Sequence, residues 1–146
     1  MKELEITDLN PDPIVQFEVW FAEAREEATL NYPNAMVLST VNQSGEPNSR
    51  VVLLKEINPL GFCFFTNTHS VKGEELASSP KAALNFYWDA NHRQIRVQGS
   101  VSPVSPADAD TYFKSRNRLS QLGAWASQQS RELSSREQLE EAVRDL

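Results

Sequence analysis

Between Ala35 and Val101 five short apolar segments are separated by turn residues, and this spacing constrains the fold more than any other feature of the chain. Ala35–Val41, Asn48–Ile57, Phe62–Thr66, Lys81–Trp88 and Arg93–Val101 read as strands, rich in β-branched and aromatic residues. Asn42-Gln-Ser-Gly-Glu-Pro47, Asn58-Pro-Leu-Gly61 and Asp89-Ala-Asn-His92 supply turns between them. Short strands joined this tightly close into a barrel or stack as a sandwich. The expected class is mainly β with flanking helices, an α+β arrangement.

Helical signals flank the strands. Asp12-Pro13 opens a helix, with Asp as N-cap and Pro in the first turn. Ile14, Phe17, Phe21, Ala24 and Ala28 then recur at helical spacing until Asn31-Tyr-Pro-Asn34 stops it. Ser70–Ser79 reads as a short helix ended by Pro80. Ser105-Pro106-Ala-Asp108 opens another that runs to about Arg116, and Leu119–Gln128 continues as helix. Ser134-Ser-Arg-Glu137 is a capping box for a polar last helix reaching Leu146. Residues 1–11 read as a flexible arm and 1–146 as one domain.

Composition excludes several classes. The net charge of −6 argues against non-specific nucleic-acid binding. No run approaches the ~18 apolar residues of a membrane span, and the acidic N-terminus does not resemble a signal peptide. A cytoplasmic protein is expected. The single cysteine, Cys63, lies in an apolar run and reads as core. His69 and His92 fall in turns, in no triad or metal-ligand pattern, and no metal is expected. With five glycines and no Gly-x-Gly-x-x-Gly, a bound phosphate would have to rest on side chains and helix ends. Residues 50–118 hold nine Lys/Arg against six Asp/Glu, and the rest five against fourteen. That basic middle suits a small anion, or merely solvent-facing strands.

Three groups could hold such an anion. Arg50 and Lys55 bracket an apolar strand, although strict alternation places them on opposite faces unless the strand bulges. They could equally guard an edge. Gln94, Arg96 and Gln98 share one strand face and could bond a ligand or water. Tyr112, Arg116 and Ser120, at i, i+4 and i+8, would line one face of a continuous helix, which Asn117-Arg118 could break.

Five motifs occur in an order and spacing that resembles the pyridoxamine (pyridoxine) 5′-phosphate oxidase family. They are Arg50-Val-Val-Leu-Leu-Lys55, Phe64-Phe-Thr-Asn67, Arg93-Gln-Ile-Arg96, Tyr112-Phe-x-Ser-Arg116, and Gln121-Leu-Gly-Ala-Trp-Ala-Ser127 through Gln129-Ser130. The resemblance implies a split β-barrel homodimer with flavin mononucleotide (FMN) at the subunit interface. It implies oxidation of a phosphorylated B6 vitamer to pyridoxal 5′-phosphate, with electrons passing through FMN to O₂. By position, Arg50, Val51, Val52, Leu53, Leu54, Lys55, Phe65, Thr66 and Lys72 would contact FMN. Gln94, Gln129 and Ser130 would reach it from the second subunit. Lys55, Tyr112, Arg116 and Ser120 would hold the substrate, the last three around its phosphate. No side-chain nucleophile is required, because the flavin carries the chemistry.

Departures from the family pattern qualify these expectations. Val71-Lys72 stands where the family has Arg-Lys. The family's N-terminal Arg-x-x-Tyr segment and its C-terminal Trp-Gly-Gly and Arg-Leu-His-Asp-Arg segments are not found in residues 1–146. None of Trp20, Trp88 or Trp125 matches the family's flavin-contacting tryptophan. A shortened FMN-binding or dimerisation module, and a sister flavin oxidase of the phenazine-biosynthesis type, therefore stand as alternatives.

Overall fold

The computed structural model describes residues 4–145. Six strands and five α-helices are found among them, with a short 3-10 turn at Ile6–Asp8. The first helix, α1 (Pro13–Glu26), starts where Asp12 accepts hydrogen bonds from the backbone N–H groups of Ile14 (2.8 Å) and Val15 (3.4 Å). It ends before Ala28, earlier than the apolar spacing suggests. Strands β1 (Ala35–Val41), β2 (Pro47–Leu53), β5 (Lys81–Trp88) and β6 (Arg93–Ser100) form an antiparallel sheet in the order β2-β1-β5-β6. Strands β3 (Glu56–Asn58) and β4 (Gly61–Cys63) form a separate two-stranded sheet.

Alternation along the strands decides which face packs. Met36, Leu38 and Thr40 of β1 are buried, and the register opposes Leu38 to Arg50 and to Leu84. Opposed residues share a face. The inner face therefore carries Arg50, Val52, Leu84, Phe86, Trp88, Ile95 and Val97, while Val51 and Tyr87 lie on the outer face and are exposed. Helix α1 closes the inner face with Phe17, whose ring meets Phe62 at 4.8 Å and Phe86 at 4.9 Å, edge-on. Each such aromatic contributes about 1.5–3 kcal/mol by burial. Trp88 satisfies its indole N–H on the Pro33 carbonyl (2.7 Å).

The structure revises several sequence expectations. The segment Asn48–Ile57 is two strands. After Leu53 the backbone leaves the large sheet: the Leu54 N–H bonds the Asn34 carbonyl (2.8 Å) and the Lys55 N–H bonds the Cys63 carbonyl (2.9 Å). Phe62–Thr66 pairs only as far as Cys63. Cys63 is half-buried, and burial, then Glu56 and Asp108, push its thiol upward in pKa, favouring the neutral form. Of the expected arm, residues 1–3 lie outside the described residues. The remainder makes the 3-10 turn and is tied to α1 by Asn10 N–H donating to Gln16 (2.6 Å).

The helices after residue 70 are α2 (Val71–Ser78), α3 (Pro106–Ser115), α4 (Arg118–Ala126) and α5 (Arg136–Arg144). Ser135, not Ser134, caps α5 by accepting from the Gln138 N–H (3.3 Å). Leu146 lies outside the described residues.

Candidate functional site

Arg50 is placed by register. It opposes Leu38 on β1, so its side chain enters the inner face beside Thr40, one inward position along β1. There α2 supplies Glu75. The Arg50 guanidinium pairs with the Glu75 carboxylate at 3.2 Å and donates to the Thr40 hydroxyl. It also donates to the carbonyls of Asn48 (3.3 Å) and Leu38 (3.4 Å). Thr40 and the Asn48 amide donate to the same carboxylate. Burial pushes the Glu75 carboxyl up, but the hydrogen bonds from Thr40, Asn48 and Arg50 and the Arg50 charge outweigh it. The carboxyl settles below its ordinary value and stays ionised.

Beside this network lies the N-terminus of α2. Ser70 is fully buried and caps the helix, accepting from the Gly73 N–H, while its hydroxyl donates to the Asn67 carbonyl (2.6 Å). Gly73 is required here. A Cβ at this position would stand 2.3 Å from the Thr68 carbonyl oxygen, so the helix can approach the preceding loop only without one. Lys72 is buried, and its ammonium donates to Gln129 (2.9 Å) and Ser70 (3.2 Å). Both are neutral oxygens. Burial, and then the Arg50 charge, pull the Lys72 ammonium below the usual lysine value. Thr66 donates to the same Gln129 oxygen at 3.5 Å.

The loop after α4 closes this corner. Gln129 caps Lys72 and Thr66, and Arg131 pairs with Glu74 while reaching the His69 carbonyl at 3.4 Å. Gln129 thus lies against Lys72 of its own chain, where the resemblance implied a reach across the dimer. Ser130, next to it, is exposed with φ of +67°. Gln94 lies apart from the corner on the outer face of β6, bonded to Asn85 at 3.0 Å.

The aromatic side of the site centres on Tyr112. Its ring stacks on Phe65 with centroids 3.8 Å apart and planes at 6°, and the Lys55 ammonium sits 5.7 Å from its centre. The backbone break at Leu54 lets Lys55 reach this place while Arg50, five residues earlier, faces inward. Tyr112, Arg116 and Ser120 do not share a continuous helix. Arg116 is the C-cap of α3, with its carbonyl held by Gln121 (2.9 Å), and Ser120 sits in the first turn of α4, its N–H on Asn117 (2.8 Å). A cleft of about 600 Å³ opens between α1 and the β2–β3 junction. Lys55 and Leu54 line it, but Arg50, Thr66 and Lys72 do not.

Two cations, three hydroxyls, a glutamine amide and a helix N-terminus meet in one corner, with the Glu75 carboxylate paired to one of the cations. That set can bind an oxyanion such as a phosphate ester. Sequence reading missed Thr40, Ser70, Glu75 and Arg131. Ser70 carried a helix-start signal. Glu75 carried a spacing signal: at i+3 from Lys72 it shares that residue's face of α2.

An antiparallel sheet with flanking helices and a cation-rich corner at a helix N-terminus places the chain in the class of split β-barrel proteins. The profile of a family described as Pyridoxamine 5'-phosphate oxidase matches residues 22–146, and the chain belongs to that family. A pyridoxine/pyridoxamine 5'-phosphate oxidase from Cyanothece sp. (strain PCC 7425 / ATCC 29141) is 52% identical over 145 residues, covering 99% of this chain and 68% of the relative. The protein of the same name from Burkholderia mallei (strain SAVP1) is 49% identical over 143 residues, covering 98% and 66%. The chain thus spans about two thirds of the length of these curated relatives. Among solved structures, PhzG from Burkholderia lata 383, in complex with tetrahydrophenazine-1-carboxylic acid, superposes with a TM-score of 0.91 at 30% identity, covering 99% of this chain and 71% of that one. A pyridoxamine 5'-phosphate oxidase-related, FMN binding protein from Nostoc punctiforme PCC 73102 shares the fold, with a TM-score of 0.69 at 18% identity over 90% of this chain and 73% of its own.

Proposed function

We propose that this chain binds FMN and, as a cytoplasmic homodimer, oxidises pyridoxamine or pyridoxine 5′-phosphate to pyridoxal 5′-phosphate with O₂. The observation that carries the reading is Lys72. A buried ammonium whose own partners are neutral oxygens, while the nearby Arg50 already holds the Glu75 carboxylate, is a costly arrangement without an anion. A flavin phosphate fits that need. Arg50, Thr66 and Lys72 would hold it, with Ser70 at the helix end and Gln129 closing over it. Val51, Val52, Leu53, Leu54, Lys55 and Phe65 would border the rest of the cofactor, with Gln94 and Ser130 contributing across the dimer.

When bound, the flavin accepts the two electrons removed from the substrate and passes them to O₂. The chain's residues bind and orient. Tyr112, Arg116 and Ser120 would hold the substrate phosphate, and Lys55 would place a positive charge against the substrate ring. The test is titration of the protein with FMN, followed by flavin-fluorescence quenching, and then turnover of pyridoxine 5′-phosphate. Absence of quenching at micromolar protein defeats the cofactor assignment.

Two observations favour narrower readings. The chain spans two thirds of its curated relatives, which favours a flavin-binding module without turnover. The close superposition on PhzG favours a flavin oxidase acting on a tricyclic acid. Quenching without pyridoxine 5′-phosphate turnover selects the first. Turnover of a reduced phenazine acid in its place selects the second.

A further inference from the structure

Arg50 is an unusual residue for the inner face of a sheet whose neighbouring inward positions are Leu38 and Val52. A guanidinium offers five N–H donors on a long flexible stem. Left to itself at such a site it would sample many rotamers or withdraw to water. Glu75 removes that freedom. It reaches from α2 to pair with Arg50 at 3.2 Å, and its own two oxygens are fixed by Thr40 and Asn48 from β1 and β2. Helix and sheet are thereby cross-linked through one carboxylate, only 5% exposed. The contacts engage Nη1 and Nη2 of Arg50 and leave Nε without a partner among the described residues.

We propose that Glu75 is a positioning residue for the flavin phosphate: from the same helix that carries Lys72, it holds the Arg50 guanidinium by Nη2 and leaves its Nε free to meet the anion. This rests on the flavin reading above. Glu75 touches no ligand and acts through Arg50. Its negative charge also offsets one of the two cations, so the corner keeps a single net positive charge before any anion arrives. A neutral side chain at residue 75 would leave Arg50 and Lys72 to repel each other, and either could swing away.

The experiment compares FMN with riboflavin, which has the same ring system and no phosphate. Dissociation constants for both are measured by fluorescence quenching on the full chain, for wild type, Glu75→Gln, Glu75→Ala, Arg50→Ala and the two double variants. Glu75→Gln is near-isosteric and keeps an accepting oxygen, so it preserves the fold if the alanine variant does not. Wild type is expected to prefer FMN. Glu75→Ala should weaken FMN about tenfold and leave riboflavin unchanged, with Glu75→Gln falling between. In the Arg50→Ala background either change at Glu75 should cost nothing further. A parallel loss of FMN and riboflavin, an unchanged preference for FMN, or a full loss that persists without Arg50 each overturns the positioning role. If wild type binds neither flavin, the cofactor reading itself falls, which is a separate and recognisable result.

Discussion

Lys72 and Gln129 lie 57 residues apart in sequence and are joined by a 2.9 Å hydrogen bond from ammonium to amide oxygen. That bond fastens the loop after α4 onto the first turn of α2. It gives a charged donor one of its two partners, and such bonds are worth about 1.5–3 kcal/mol. Gln129→Ala should therefore weaken FMN by about tenfold or more. It should also speed proteolysis at residues 127–131, read by limited digestion with and without FMN. Unchanged affinity and unchanged cleavage would show that the loop is not part of the corner.

Val71 stands where the family resemblance implies an arginine, and it is 40% exposed at the start of α2. Val71→Arg adds a third cation to the corner. Because the position is partly open to solvent, the gain should sit near the lower end for a charged hydrogen bond, about tenfold in FMN affinity. Fluorescence titration decides it. Arg131, already drawn to Glu74 on that first turn, could supply the missing charge. If it does, Val71→Arg will gain little until Arg131 is also replaced.

Gly73→Ala tests the close approach of α2 to the loop before it. The new methyl would press on the Thr68 backbone, which cannot rotate aside. Overpacking of this kind costs about 1–3 kcal/mol, or about 3–10 °C in Tm. Because Ser70 and Lys72 ride on the same turn, FMN affinity should fall with it. Thermal melts with and without FMN separate the two effects.

Glu75 makes a pH dependence. Its folded pKa lies below the ordinary value of 4.5, so its stabilising contribution is complete above that value and drains away as pH falls through the lower, folded one. Melting temperatures of wild type and Glu75→Gln should differ at about pH 6 and converge toward about pH 3. A constant gap across that range would mean that the Glu75 charge does not stabilise the fold.

Arg116→Ala should separate substrate from cofactor. Removing a charged phosphate partner is expected to lower kcat/KM for pyridoxine 5′-phosphate by about tenfold to a hundredfold. The FMN dissociation constant should stay within about twofold. Equal loss of both would remove Arg116 from the substrate phosphate.

Local patterns carried much of the fold. β1 and β5 run between the residues their apolar spacing indicates, and α1 and α3 begin at their Asp-Pro and Ser-Pro signals. What local patterns could not show is which backbone a strand end would choose. Leu54 and Lys55 take partners at Asn34 and Cys63, and nothing within 48–57 encodes those distant carbonyls. Likewise the face of Arg50 depends on its register with Leu38, and the value of Glu75 depends on α2 docking over that face. Thr66 and Lys72 stand as candidates only through the family resemblance. Thr40 and Arg131 were not legible, because each becomes relevant only through a contact across many residues.

The break after Leu53 makes residues 50–55 a ruler with two marks. At one end a guanidinium is set into the anion corner, and at the other an ammonium stands over the Tyr112 ring and on the rim of the cleft. The distance between the two charges is set by a short stretch of chain clamped in two different sheets. Lengthening that stretch by one residue would leave every side chain present and still turn one mark away from its place. Point substitutions between Arg50 and Lys55 should thus be far better tolerated than a single insertion.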